Sequence, residues 1–240
     1  MRTRNLFPLL LLTTLAGAPA SGPEAARTAA TTPASAPAAA RADLSTPQGA
    51  VIAFLNALQA NDESAARNAI SFEGSADPKA PEAFLDILFS TNQIQQAAMT
   101  RFGDSAVAAF GDPKAALTAR IAAVQKAAPA ISNNDAALTL PSDENSQQPG
   151  TTIALKKTGN EWKIDAVSLF SLSALPPEDL AKRVALARKL IEINKDVAAN
   201  ISGGKYTSAS EARQDLWDRS FEAAKSLTPA PATSPAPAAR

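Results

Sequence analysis

The sequence predicts an α+β fold in which N-terminal helices pack on a cone-like, curved antiparallel sheet and a C-terminal helical hairpin follows. Three observations predict it. Thr151–Phe170 (TTIALKKTGNEWKIDAVSLF) holds two β-type runs joined by the turn Lys157-Thr158-Gly159-Asn160. Apolar residues at helical spacing recur between Val51 and Val124, before those strands. After Leu175 the helical spacing returns and continues to Ala224.

The chain begins with an export signature. Arg2 and Arg4 precede the apolar stretch Leu6–Leu15, and Ala18-Pro19-Ala20 supplies small residues at the cleavage spacing. Residues 1–20 are therefore expected to be a signal peptide cut near Ala20, which predicts a secreted or periplasmic product. The apolar core is too short for a membrane span of about 20 residues and contains Pro8. The mature chain is expected to carry no membrane span. Residues 21–42 are Ala/Pro/Thr-rich and cannot bury enough surface to offset chain entropy, so a disordered linker is expected there. Residues 228–240 (TPAPATSPAPAAR) have the same character.

The folded part is expected to divide into an α+β domain over 43–175 and a helical extension over 176–227. Thr46-Pro47 opens the first helix, because a hydroxyl can cap the free amides and proline suits the first turn. Val51, Phe54, Leu55 and Leu58 form its apolar stripe. Asn61-Asp62 ends it and caps a second helix, Glu63–Ile70. A long helix is predicted from about Pro81 to Phe102, striped by Phe84, Ile87, Leu88, Ile94, Ala98 and Phe102. Gly103 stops it. A short helix over Asp104–Phe110 follows, then one opened by Asp112-Pro113 and carrying Leu117, Ile121 and Val124.

Four short strands come next. Ala130-Ile131 and Ala136–Leu140 flank the turn Ser132–Asp135, and the central hairpin supplies the other two. All four are expected to be antiparallel, since their connections are too short for parallel crossovers. In the hairpin, Ile153 and Leu155 share one face, as do Trp162 and Ile164. Pro176-Pro177-Glu178-Asp179 opens a long helix with carboxylates where the dipole favours them. Ser208–Glu211 reads as a capping box for the last helix. The stripe Leu186-Leu190-Ile193-Val197-Ile201 is expected to face Leu216, Trp217, Phe221 and Ala224. The distal end, near Ile201 and Leu216, is expected to be offered to a partner.

Three blocks resemble the nuclear transport factor 2-like superfamily, with its SnoaL-like and lumazine-binding-like members, in its secreted bacterial branch. Ser45–Ala69 (STPQGAVIAFLNALQANDESAARNA) looks like the opening helix pair. Ile131–Leu140 (ISNNDAALTL) looks like a strand pair around a polar turn. Ile153–Asp165 (IALKKTGNEWKID) looks like the late hairpin with its Gly-x-x-Trp-Lys-Ile signature. Together they cover roughly half of the mature chain. The helical material between Pro81 and Ala128 is longer than the family minimum, and the helices after Leu175 are an addition. The resemblance implies a sheet curled around a long helix, often with a pocket at its wide end. Some members use that pocket for isomerase, dehydratase or cyclase chemistry, others bind small ligands, and many are accessory or dimerisation domains. Fold does not choose among these roles.

Composition excludes several chemistries. There is no histidine and no cysteine, and 23 basic residues balance 23 acidic ones without a basic run. Nucleic acid is therefore not an expected partner. No calcium-loop pattern or phosphate-binding loop is present, so no metal and no cofactor are expected. A nucleophilic serine would lack its usual base. Asp165 is the most tempting carboxylate, but its parity opposes that of Trp162 and Ile164, which points it to solvent or a backbone partner. The single tyrosine, Tyr206, falls between the last two helices. No catalytic residue is assigned. Phe54, Leu58, Phe84, Leu88, Ile153, Leu155, Trp162 and Ile164 are the candidates for lining a pocket or filling the core. The expected function is non-enzymatic: an exported binding or accessory domain for a small apolar ligand or a protein partner in the cell envelope, with a homodimer as one form of partner. The alternative is a pocket enzyme, isomerase- or dehydratase-like, that works without histidine.

Overall fold

A computed structural model describes residues 43–75, 77–141 and 151–227. The expected signal peptide, both low-complexity segments and the loop over 142–150 lie outside the described residues. No helix among the described residues is long and apolar enough to cross a membrane.

The fold is α+β. Helix α1 (Pro47–Ala60) starts where Thr46 Oγ1 accepts from the Gly49 amide at 3.0 Å. Asn61 in the left-handed conformation ends it, and Asp62 caps α2 (Glu63–Asn68). Strand β1 (Ile70–Ser71) precedes the long α3 (Lys79–Phe102) and the short α4 (Asp104–Phe110). Asp112 accepts from the amides of Lys114 and Ala115 to open α5 (Pro113–Lys126). Strands β2 (Pro129–Ser132), β3 (Asp135–Leu140), β4 (Thr151–Thr158) and β5 (Glu161–Asp165) follow. The short α6 (Ala166–Leu169), a 3₁₀ turn, α7 (Pro177–Ser202) and α8 (Ala209–Ser226) complete the described chain.

The four expected strands pair antiparallel, and a fifth, unexpected strand makes the sheet mixed instead of wholly antiparallel. Its order is β1-β5-β4-β3-β2, and β1 runs parallel to β5, pairing Ile70 with Ile164 and Ser71 with Asp165. The predicted second helix ran through Ile70, but α2 stops at Asn68. The Ala69 carbonyl instead accepts from the Ile164 amide at 2.9 Å. A parallel pair needs a long crossover, and here α3, α4 and α5 all lie between the two strands. The other three pairings are antiparallel. Gly159, at φ 63°, makes the β4–β5 turn, a conformation that costs glycine little.

One face of the sheet meets α1. Leu138, Ile153, Leu155, Trp162 and Ile164 are buried against Ala50, Val51, Phe54 and Leu55. Trp162 is 5 % exposed, and its amide donates to the Leu44 carbonyl at 2.7 Å, covering the free edge of β5 beyond the two-residue β1.

Helix α3 is buried on more than one side. Leu85 and Phe89 join the sheet core, whereas Ala83, Phe84 and Ile87 pack on Leu180, Val184 and Ala187 of α7. Farther along, Ile94 and Ala98 meet Val197 and Ile201 of α7 and Ala209 and Ala212 of α8. Helix α7 therefore spends its inward face on α3. The expected α7–α8 stripe pairing holds for Leu216, which packs in the cluster of Ile193, Val197 and Ile201, and is corrected for Trp217 and Phe221. Ile201 is fully buried and offers nothing to a partner, while Trp217 and Phe221 are 58 % and 59 % exposed. The helices do run antiparallel, with Asp196 bound by Arg219 at 2.6 Å and Lys189 bonded to Ser226 at 2.8 Å. Helix α8 packs on the bundle through Ala209, Ala212 and Leu216, and its aromatic pair Trp217 and Phe221 faces outward.

Candidate functional site

A cleft of about 180 Å³ opens between α1, α3, α5 and the ends of β4 and β5. Of the residues singled out from sequence, Phe54, Leu58, Phe84, Leu88, Ile153 and Ile164 line it. Leu155 and Trp162 are buried in the sheet core and do not line it. The alternation of β4 and β5 aims all four strand residues at the α1 side, and only Ile153 and Ile164 reach the cleft.

Residues far apart in sequence complete the walls. Phe170, just after α6, stacks on Phe84 with ring centroids 5.6 Å apart and planes at 29°. Next to it Ser171 holds φ 53°, a left-handed conformation that is costly for a residue with a Cβ. Leu117 and Arg120 come from α5 and Arg183 from α7. The spacing of these residues carried no cleft signal, because each enters through a tertiary contact between elements.

Polar groups in the walls are few. The Asn92 amide donates to the Leu58 carbonyl at 2.7 Å, and the Gln95 amide donates to the Phe110 carbonyl at 3.1 Å. Both side chains are thus committed to tying α3 to its neighbours. Arg120 and Arg183 have no ion pair among the described residues. Arg67 and Arg219, by contrast, each hold two carboxylates. Desolvation pushes the Arg120 guanidinium below its ordinary value, with no carboxylate acting on it. Much of the residue still reaches solvent, and arginine starts so high that it remains a cation at neutral pH.

Among the described residues no carboxylate and no tyrosine lines this cleft. Asp165 points away from it. Its Oδ1 accepts from the Val167 amide at 3.1 Å, capping α6, and Lys156 Nζ lies 3.8 Å from its Oδ2. Tyr206 sits at the far end of the helical layer, donating to Asp215 Oδ2 at 2.5 Å. No group of three or more potential metal-ligating side chains occurs among the described residues.

A second hollow of about 250 Å³ lies between Gly74, Ser75 and Asp77 on one side and the start of α7 on the other. Leu172, Leu175 and Leu180 line it, with no aromatic ring and no cation among the described residues. Its greater volume is not matched by any convergence of recognition groups, so the cleft at Phe54 is the better candidate.

No protein-family model, curated protein or solved structure matches the chain.

Proposed function

We propose that this chain is an exported binding module that holds a small apolar ligand in the cleft between α1, α3 and α5. Its sheet and opening helices would be an elaborated form of the nuclear transport factor 2-like scaffold that the three sequence blocks resemble. Export rests on residues 1–20, and N-terminal sequencing of exported protein should read Ser21 first; an intact Met1 would overturn that part.

The observation that carries the binding reading is the composition of the cleft. Phe54, Phe84, Leu88 and Phe170 give it apolar walls, and its two amides are already hydrogen-bonded to backbone carbonyls. General acid–base turnover needs a positioned proton donor or acceptor with a suitable pKa. Among the described residues neither a carboxylate nor a tyrosine lines the cleft, which favours retention of a ligand over its conversion.

Native mass spectrometry of protein taken from its own host tests this. A bound small molecule that is lost when Leu117→Trp fills the cleft supports the reading. A ligand-free wild-type mass, or a ligand that Leu117→Trp does not displace, overturns it.

A further inference from the structure

The cleft combines an apolar interior with two cations. Arg120 on α5 and Arg183 on α7 both line it, and neither has an ion pair among the described residues. Asn92 and Gln95 have their amides engaged elsewhere. The charged donors available to an occupant are therefore the two guanidiniums. A wholly apolar occupant would further desolvate Arg120 and offer it nothing in exchange, which is costly for a charge. An occupant with an anionic head would instead supply the missing partner, and a carboxylate matches the planar donor fork of arginine. The arginine stems can lie along the apolar walls while their heads stay at the wet rim.

We propose that the cleft binds a single-chain carboxylate amphiphile, with its hydrocarbon chain against Phe54, Leu88 and Phe170 and its carboxylate held by Arg120 and Arg183. The inference rests on the binding reading above and names the ligand class. The cleft has a volume of about 180 Å³. That suits a short chain whose head remains outside the apolar walls.

The test is isothermal titration calorimetry of the full mature chain with octanoate, octanol and octylamine. The expected result is that octanoate binds at least about tenfold more tightly than either of the others. In R120Q/R183Q that advantage disappears while octanol binding is retained. Both arginines lie at least partly at the surface, so the double variant should keep its fold, with circular dichroism as the check. Should it unfold, the wild type still decides: salt near 1 M, where the screening length is about 3 Å, should weaken octanoate relative to octanol. Equal binding of octanoate and octanol overturns the head-group assignment and leaves the apolar-ligand reading standing. Octylamine bound as well as octanoate also overturns the head-group assignment. No binding of any probe to folded protein overturns both. Octanoate binding that survives Leu117→Trp places the site elsewhere and overturns the proposal.

Discussion

Asn194 on α7 donates its Nδ2 to Ser90 Oγ on α3 at 3.0 Å, and both residues are buried. The same amide reaches Thr91 Oγ1 at 3.3 Å, while Ser90 Oγ donates to the Ile87 carbonyl at 3.0 Å. A buried polar link of this kind fixes the rotation and height of one helix against the other. Asn194→Ala should cost about 1–3 kcal/mol in chemical denaturation, the range for disrupting a buried hydrogen-bonded group. A change within about 0.5 kcal/mol, the scale of surface substitutions, would mean that the link does not hold the two helices in register.

Cutting the chain after Leu175 should abolish folding rather than release a smaller domain. The cut uncovers Ala83, Phe84, Ile87, Ile94 and Ala98, one whole side of α3. It also removes Arg183 from the cleft. Circular dichroism and hydrogen exchange should report a collapsed or aggregated product. A cooperatively folded fragment 21–175 would show that α7 is dispensable.

The two tryptophans should behave oppositely. Trp162→Ala should cost about 3–5 kcal/mol, as truncation of a buried aromatic does, because the ring is 5 % exposed in the sheet core. Trp217→Ala should fall within about 0.5 kcal/mol of wild type, as surface substitutions do, because its ring is 58 % exposed. Denaturation of the two variants decides it. Equal losses would mean that α8 turns its aromatic face inward.

Tyr206 is the chain's single tyrosine, so its ionisation can be followed directly by the absorbance of the phenolate. Burial, the hydrogen bond to Asp215 and that carboxylate's charge push its pKa up to about 12. The folded state therefore holds the proton more tightly than the unfolded chain, whose tyrosine titrates near about 10. The resulting stability is fully present below about pH 10 and is lost as pH rises toward about 12, by an amount on the order of 2 kcal/mol. Tyr206→Phe should remove that alkaline slope. A phenolate midpoint near 10 in the folded protein would refute the Tyr206–Asp215 contact.

Much of this architecture was legible locally. Thr46-Pro47, Asp62 and Asp112 announce helix starts because capping is a contact within a few residues. The Gly159 turn and the alternation through Trp162 and Ile164 announce the hairpin for the same reason. Strand β1 was not legible. Two residues carry no periodicity, and Ile70 becomes a strand residue only because β5 arrives beside it from more than ninety positions away. The cap of α8 is close to the box expected at Ser208–Glu211. Glu211 donates its amide to Ser208 Oγ at 3.2 Å, but its carboxylate accepts from Thr207, one residue earlier than a capping box requires.

By itself the sequence determined most of the helix and strand segments, β1, α6 and the end of α2 excepted, and that one apolar face of the hairpin must be covered. These follow from side-chain period and from caps, which act over a few residues. Only the tertiary structure decided which faces meet. Helices α3 and α7 each carry an apolar stripe that several partners could cover, and a stripe does not name its partner. The close fit of Ala83 and Ile87 to Val184 and Ala187, with the buried Ser90–Asn194 link, selects this one. That choice leaves Trp217 in solvent, buries Ile201, and carries Arg183 to the same cleft as Arg120, sixty-three positions earlier in the chain. A site assembled from α1, α3, α5, β4, β5 and α7 has no local spacing to read, because its geometry exists only once those elements have packed.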